Sequence, residues 1–320
     1  MHVVILMPLR DDWVSAAALI GHLDKALTAH PASFEIVLVD DGSIEKADPA
    51  AFRCPYSAVA RIRVLRLRRN LGHQRAIAVG LAYLENTIPC DAVVVMDSDG
   101  EDTPDGVLQL VRTFLEYDGA TAVFAERSRR SESLLFRWFY KCYKVAHRCL
   151  TGVSVRVGNF SILPAACLGT LVVVSETWNH YAAAALRSKL PFTMVPIPRG
   201  YRIAGTSRMN FVSLIGHGLS AISVFGDVVG VRLLIGSIVG SLVAGVGILI
   251  VIAVRLFSQN AIPGWATYTA AALAIILIQR IAISASFTFF VLSSRTHLGF
   301  IPSRDYSIFV AEATDFYRHD

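Results

Sequence analysis

The sequence lacks the signatures of several large enzyme classes. Its 320 residues contain no GxxxxGK[ST] loop and no GxGxxG turn, which removes the backbone cradles of P-loop nucleotidases and dinucleotide-binding enzymes. No GxSxG elbow and no HExxH helix occurs either, so the corresponding hydrolase and zinc-protease arrangements are unsupported. Cysteine is scarce: Cys54, Cys90, Cys142, Cys149 and Cys167 form no CxxC pair. An odd, unclustered set supports neither a disulfide framework nor a zinc site and suits a reducing compartment. The N-terminus has no basic leader. Its apolar run is cut by Pro8 and then by Arg10-Asp11-Asp12, so it reads as a buried strand rather than a secretory signal. The N-terminal part is therefore expected to stay on the side of the membrane where it is made.

Charge is almost missing from residues 231–294, whereas residues 1–200 carry most of it. The overall 54% hydrophobic content and mean hydropathy of +0.51 exceed what a soluble domain needs. The uninterrupted run 233–254 is long enough to cross a hydrocarbon core of about 30 Å, and 265–294 follows after a short link containing Pro263-Gly264. Gly236 and Gly240 stand at GxxxG spacing, a helix-packing face. Arg280 falls near the middle of the second run, where a charge must face protein or water or reach for the interface. Arg255 is the one basic residue at the linking loop. Arg202, Arg208, Arg232, Arg295 and Arg304 lie on the other side, so the positive-inside bias predicts both termini in the cytoplasm. The net charge of +5 fits anionic partners such as acidic lipid or phosphorylated substrates; arginines are scattered, which disfavours nucleic acid.

Over the first two hundred residues, short β-rich apolar runs alternate with helical spacing. Strands are predicted at 2–7, 34–39, 62–67, 92–96, 121–125 and 192–198, and helices at 14–29, from about 72 to 85, and at 104–117. Residues 131–150 form an amphipathic stretch of Arg, Lys and aromatics, either a surface helix or a membrane-surface one. This order predicts an α/β fold, a mostly parallel sheet covered on both faces, with ligands beyond the carboxyl ends of its strands. Two strands end there on aspartates: 34–39 on Asp40-Asp41-Gly42-Ser43, and 92–96 on Asp97-Ser98-Asp99-Gly100. Such pairs gain nothing from packing and cost desolvation, so they point to function. An Asp-x-Asp at a strand exit offers hard oxygens for Mg²⁺ or Mn²⁺ bridging a diphosphate, and Asp40 would accept hydrogen bonds from a ribose or base.

In this order, VDDGS (39–43), RNLGHQRAIAVGL (69–81) and VVVMDSDGEDTPD (93–105) resemble a family 2 glycosyltransferase of the GT-A (Rossmann-like) fold. With two C-terminal membrane helices, the chain is similar to polyprenyl-phosphate glycosyltransferases, the dolichol-phosphate mannose synthases and bacterial undecaprenyl-phosphate sugar transferases. The resemblance implies a catalytic domain over 1–210, a juxtamembrane amphipathic segment over 211–230, transmembrane helices at 231–255 and 265–294, and a cytoplasmic tail from 295 to 320. It implies inverting, metal-dependent transfer of a sugar from a UDP- or GDP-sugar to a polyprenyl phosphate at the cytoplasmic face, by a multi-pass protein; whether it is a homo-oligomer stays open. Carried over residue by residue, Pro8, Asp40 and Asp41 line the nucleotide pocket, with Ser98 beside them and Asp11 in the place of a glutamate. Asp97 and Asp99 hold the metal, joined by Glu101. Arg127 and Arg208 grip phosphates, and Arg137 meets the acceptor phosphate. The chain departs from the family at Leu9-Arg10-Asp11-Asp12, where a Tyr-Asn-Glu run is usual, and at Asn159, where relatives often carry aspartate.

Two other readings remain. A transferase acting on a sugar or glycolipid hydroxyl needs a general base; Glu176, Trp178 and His180 stand where some relatives carry one, or else cap a helix beginning near Trp178. His73 either touches the nucleotide or is structural. A non-catalytic membrane scaffold with a degenerate domain is the third reading.

Overall fold

The computed structural model describes residues 1–127, 134–153, 157–205, 211–257, 264–296 and 299–319. In chain order the elements are β1 (His2–Leu9), α1 (Trp13–Leu27), β2 (Ser33–Asp40), β3 (Val59–Leu67), α2 (His73–Thr87), β4 (Ala92–Val95), α3 (Pro104–Glu116), β5 (Ala122–Arg127), α4 (Leu134–Thr151) and β6 (Val157–Pro164). There follow α5 (Leu168–Val172), α6 (Tyr181–Arg187), β7 (Phe192–Ile197), α7 (Phe211–Ser223), α8 (Gly226–Phe257), α9 (Trp265–Thr296), α10 (Pro302–Phe309) and β8 (Val310–Arg318).

Eight strands form one sheet in the order β7-β5-β6-β4-β1-β2-β3-β8. The central β4-β1-β2-β3 set is parallel, while β6 and β8 run antiparallel to their neighbours. Period-two alternation divides each central strand between two cores. Val3, Ile5, Met7, Ile36 and Val94 pack with Leu19, Leu23, Leu110 and Phe114 of α1 and α3. Val4, Leu6, Val37 and Val93 pack with Ile77, Leu81 and Leu84 of α2 and with Tyr181 of α6 on the other face. Strands buried on both faces read as continuous apolar runs, which is why they stood out in the sequence.

α3 starts where the Asp-x-Asp loop ends because Thr103 Oγ1 accepts from Gly106 N at 3.2 Å, with Pro104 in the first turn and Asp105 at the positive end of the helix dipole. Gly42 is required by its neighbours as well as by its φ of +66°, since a Cβ there would meet Asn70 N at 2.5 Å. Pro302–Arg318, which hydropathy marks only as a tail, folds as α10 and β8. α10 packs on α2, and Phe300 and Phe309 close over Trp178.

The chain divides into two compact units. One comprises Met1–Arg137, Val155–Val224 and Gly299–Asp320; the other comprises Trp138–Ser154 and Phe225–Leu298. In the second unit α8 and Trp265–Val291 of α9 are long and apolar enough to cross a membrane and pack along one another. Arg280 donates to Gly236 O at 2.9 Å and lies against Gly240, so the small residues at GxxxG spacing seat its guanidinium. In the same unit Arg232 donates to Cys149 O at 2.8 Å at the carboxyl end of α4.

Candidate active site

The carboxyl ends of β2, β1 and β4, three adjacent parallel strands, bring Asp40, Pro8 and Asp97-Ser98-Asp99 to one edge of the sheet. Ser98 Oγ donates to Pro8 O at 3.1 Å, tying the β4 exit to β1. Asp40, only 4% exposed, accepts Ser43 N at Oδ1 (2.8 Å) and turns Oδ2 toward Arg66 Nε at 3.9 Å. Asp41 gives both oxygens to the turn before α2, accepting Leu71 N at 2.6 Å and Gly72 N at 2.9 Å. Burial raises the Asp41 carboxyl above its ordinary pKa, against the lowering effect of those two donors. Asp11 adopts a left-handed φ of +52° and accepts Ile44 N and Glu45 N at 2.7 and 3.1 Å. It thereby fastens the loop after Ser43, whose hydroxyl in turn accepts Asp11 N.

Asp97 faces His73 Nε2 at 3.2 Å, and its backbone N–H donates to the buried Asp102 at 2.9 Å. Desolvation works to lower the His73 pKa, but the carboxylates of Asp97, Asp102 and Asp41 outweigh it and raise it. Asp99 accepts Glu101 N at Oδ1 (3.0 Å) and meets Arg202 at Oδ2 (3.3 Å). Burial first, and then Asp97, push the Asp99 carboxyl up, while Arg202 and Arg199 pull it down. Arg202 also pairs with Asp12 at 2.7 Å, and Arg199 pairs with Glu101. The segment carrying these arginines is pinned by its backbone, Gly200 N to Glu101 O at 2.8 Å and Ile203 N to Asp99 O at 2.9 Å.

Arg199, Arg202, Asp12 and Asp102 thus belong to the site although sequence reasoning did not select them. For the arginines the signal was a basic, glycine-containing segment directly after β7; Asp102 lay within the 93–105 motif and Asp12 within the departure at 9–12. Arg208 and the side chains of Arg127 and Arg137 lie outside the described residues; the Arg127 backbone ends β5, opposite Ile197. Asn159 is buried in a chain of amides. Tyr181 N donates to Gln74 Oε1 (2.7 Å), Gln74 Nε2 to Asn159 Oδ1 (3.2 Å), and Asn159 Nδ2 faces His73 Nε2 at 3.1 Å. His180 caps α6 through Ala183 N, Glu176 pairs with Arg187 at 3.4 Å, and Trp178 stacks under Arg75.

The donor set suits a small hard cation. Asp97 and Asp99 supply carboxylate oxygens, and guanidinium charge already stands beside Asp99 and Glu101. Among the described residues no three ligand side chains are preassembled.

The profile described as "Glycosyl transferase family 2" matches residues 6–177. The chain is 24% identical over 274 residues to the uncharacterized glycosyltransferase YkcC of Bacillus subtilis, covering 82% of this chain and 80% of that protein. It is 30% identical over 153 residues to an undecaprenyl-phosphate 4-deoxy-4-formamido-L-arabinose transferase of Pseudomonas syringae, covering 48% of this chain and 44% of that one. Among solved structures, glucosyl-3-phosphoglycerate synthase of Mycobacterium tuberculosis, in complex with Mn²⁺, UDP-glucose and phosphoglyceric acid, shares the fold. The TM-score is 0.51 at 15% identity, over 72% of this chain and 80% of that one.

Proposed function

The chain belongs to glycosyl transferase family 2, and from that premise we propose that it moves a sugar from a nucleotide-sugar to a polyprenyl phosphate at the cytoplasmic membrane face. The observation that carries this reading is one of arrangement. Asp40 and the Asp97/Asp99 pair share a strand-end edge, in a chain that continues into two helices of membrane-spanning length. The relative from Pseudomonas syringae, named for an undecaprenyl-phosphate acceptor, supports the choice of acceptor.

Asp40 would take the nucleoside, with Pro8, Ser98, Asp41 and Asp11 shaping the loops around it. Asp97 and Asp99, with Glu101 beside them, would hold Mg²⁺ or Mn²⁺, whose role when bound is to neutralise the diphosphate. Arg199 and Arg202 would leave their carboxylates for the phosphates, joined by Arg127 and Arg208, with Arg137 toward the acceptor. An acceptor phosphate oxygen would attack the anomeric carbon as the bond to the diphosphate breaks, and the leaving nucleoside diphosphate would keep the electron pair. An anionic acceptor already carries its nucleophilic charge, so the amide of Asn159 in place of a carboxylate is no obstacle. Catalysis rests on positioning and charge stabilisation.

The test is transfer by the purified full-length protein with Mn²⁺ or Mg²⁺, a panel of labelled nucleotide-sugars and undecaprenyl phosphate. A lipid-linked sugar is expected. Nucleotide binding without lipid-linked product, but with transfer to a hydroxyl acceptor, would replace the acceptor. Binding with no transfer at all would favour the scaffold reading.

A further inference from the structure

A cavity of about 160 Å³ opens beside Asp40, and part of its wall comes from the far end of the chain. β8 lies against β3 with Val64 opposite Thr314 and Arg66 opposite Glu312. Alternation then places Glu312, Thr314 and Phe316 on the face that α1 covers. Trp13 closes that side, its indole N–H donating to Glu45 O at 3.0 Å and its ring 6.5 Å from that of Phe316. At the rim, Arg66 bridges motif and tail: Nε stands 3.9 Å from Asp40 Oδ2, and Nη1 stands 3.4 Å from Glu312 Oε1.

The volume equals roughly five waters' share of liquid. It is too small for a whole nucleotide-sugar and of the right order for one planar heterocycle. Aromatic rings, three carboxylates, two hydroxyls, a guanidinium and the Lys46 ammonium line it, a set complementary to a base with N–H donors and ring carbonyls. We infer that β8 forms one wall of the nucleobase subsite, and that Glu312 and Thr314 help decide which nucleotide the protein takes. The inference rests on the nucleotide-sugar reading above and adds that the donor pocket is complete only once the chain has returned from its apolar hairpin. Glu312 and Thr314 are both exposed, so replacing them spares the core.

The experiment is calorimetric titration of the full-length protein in detergent with Mn²⁺ and UDP, GDP, ADP, CDP or inorganic pyrophosphate. Wild type is compared with Glu312→Gln, Thr314→Val and, on the opposite face of β8, Ala313→Ser. Glu312→Gln or Thr314→Val is expected to change the ratio of Kd values between two bases by about threefold to tenfold, the worth of one hydrogen bond. Pyrophosphate affinity and the Ala313→Ser variant should stay at wild-type values. Unchanged base ratios in both variants, with wild-type nucleotide binding intact, would overturn the role of β8 and leave the donor reading standing. A parallel loss for all ligands including pyrophosphate would also overturn it, as general damage. Wild-type protein that binds no nucleoside diphosphate would remove the donor reading itself, and the subsite with it.

Discussion

At Asp99 a guanidinium holds the side that a divalent cation would take, since Arg202 approaches Oδ2 while the Glu101 N–H holds Oδ1. Arg202 also neutralises Asp12, and all three side chains are largely shielded from water. Removing one partner of such a group costs more than the pair contributes, because the others stay desolvated. Arg202→Ala should therefore lower the metal-free Tm, by the equivalent of about 1–3 kcal/mol. Mn²⁺ alone should raise the Tm of the variant more than that of wild type, because the metal replaces the missing charge. An equal gain in both proteins would show that Arg202 is no stand-in for the cation. Asp99 also sets a pH limit. Its carboxyl is raised above the ordinary value of 3.8, so protons compete with metal at higher pH than they would at an exposed aspartate. Metal affinity should weaken as pH falls toward that raised value, approaching about tenfold per unit below it; titration of Mn²⁺ across acidic pH reads this directly. Asp97, Asp99 and Asp40 were legible in the sequence because a strand exit is marked by where an apolar run stops. The tasks of Asp41 and Asp11 were not, because their partners are backbone N–H groups of Leu71, Gly72, Ile44 and Glu45, fixed only when distant loops meet.

The same contrast holds for elements. The doubly buried parallel strands announced themselves as apolar runs, but β6 and β8 did not. β6 carries Asn159 and Ser161, each satisfied inside the fold by partners distant in sequence. β8 is an edge strand, exposed along most of its length, so its hydropathy resembles a tail. Its attachment rests partly on Asp315, which takes Arg61 Nε at 2.9 Å and Arg63 Nε at 3.1 Å. The hydrogen bond from Arg61 leads the causes that hold the Asp315 carboxyl below its ordinary value. A depressed carboxyl contributes stability above the unfolded-state value of 3.8 and loses it as pH falls through the folded-state value. β8 should therefore loosen in acid below that point, seen as faster amide exchange at 310–318 while β1 and β2 stay protected. Asp315→Asn should reproduce part of this at neutral pH, at about 0.5–1 kcal/mol for a partly exposed pair. Uniform exchange across the sheet would show that β8 unfolds only with the domain.

At the scale of the molecule, connectivity restricts how the chain can sit in a bilayer. The first unit contains residues before α8 and after α9, and its sheet joins β3 to β8. One folded sheet cannot be split by a membrane, because its ladder of backbone hydrogen bonds would be broken. If α8 and α9 both cross, they leave and return on the same side, and the loop between them lies opposite. The basic residues agree, with Arg232 and Arg295 bracketing the hairpin on the returning side and Arg255 alone near the loop. Tags fused at Met1 and Asp320 should both be digested by protease in sealed inside-out vesicles and protected in right-side-out spheroplasts. A tag inserted at 258–263 should show the reverse. If the two terminal tags separate, either α8 and α9 do not both cross or β8 is not paired with β3 in the membrane. Cross-linking a cysteine at Val64 to one at Thr314 then separates those outcomes: a bond that forms retains the sheet and removes a spanning helix, and one that fails removes β8 from the domain.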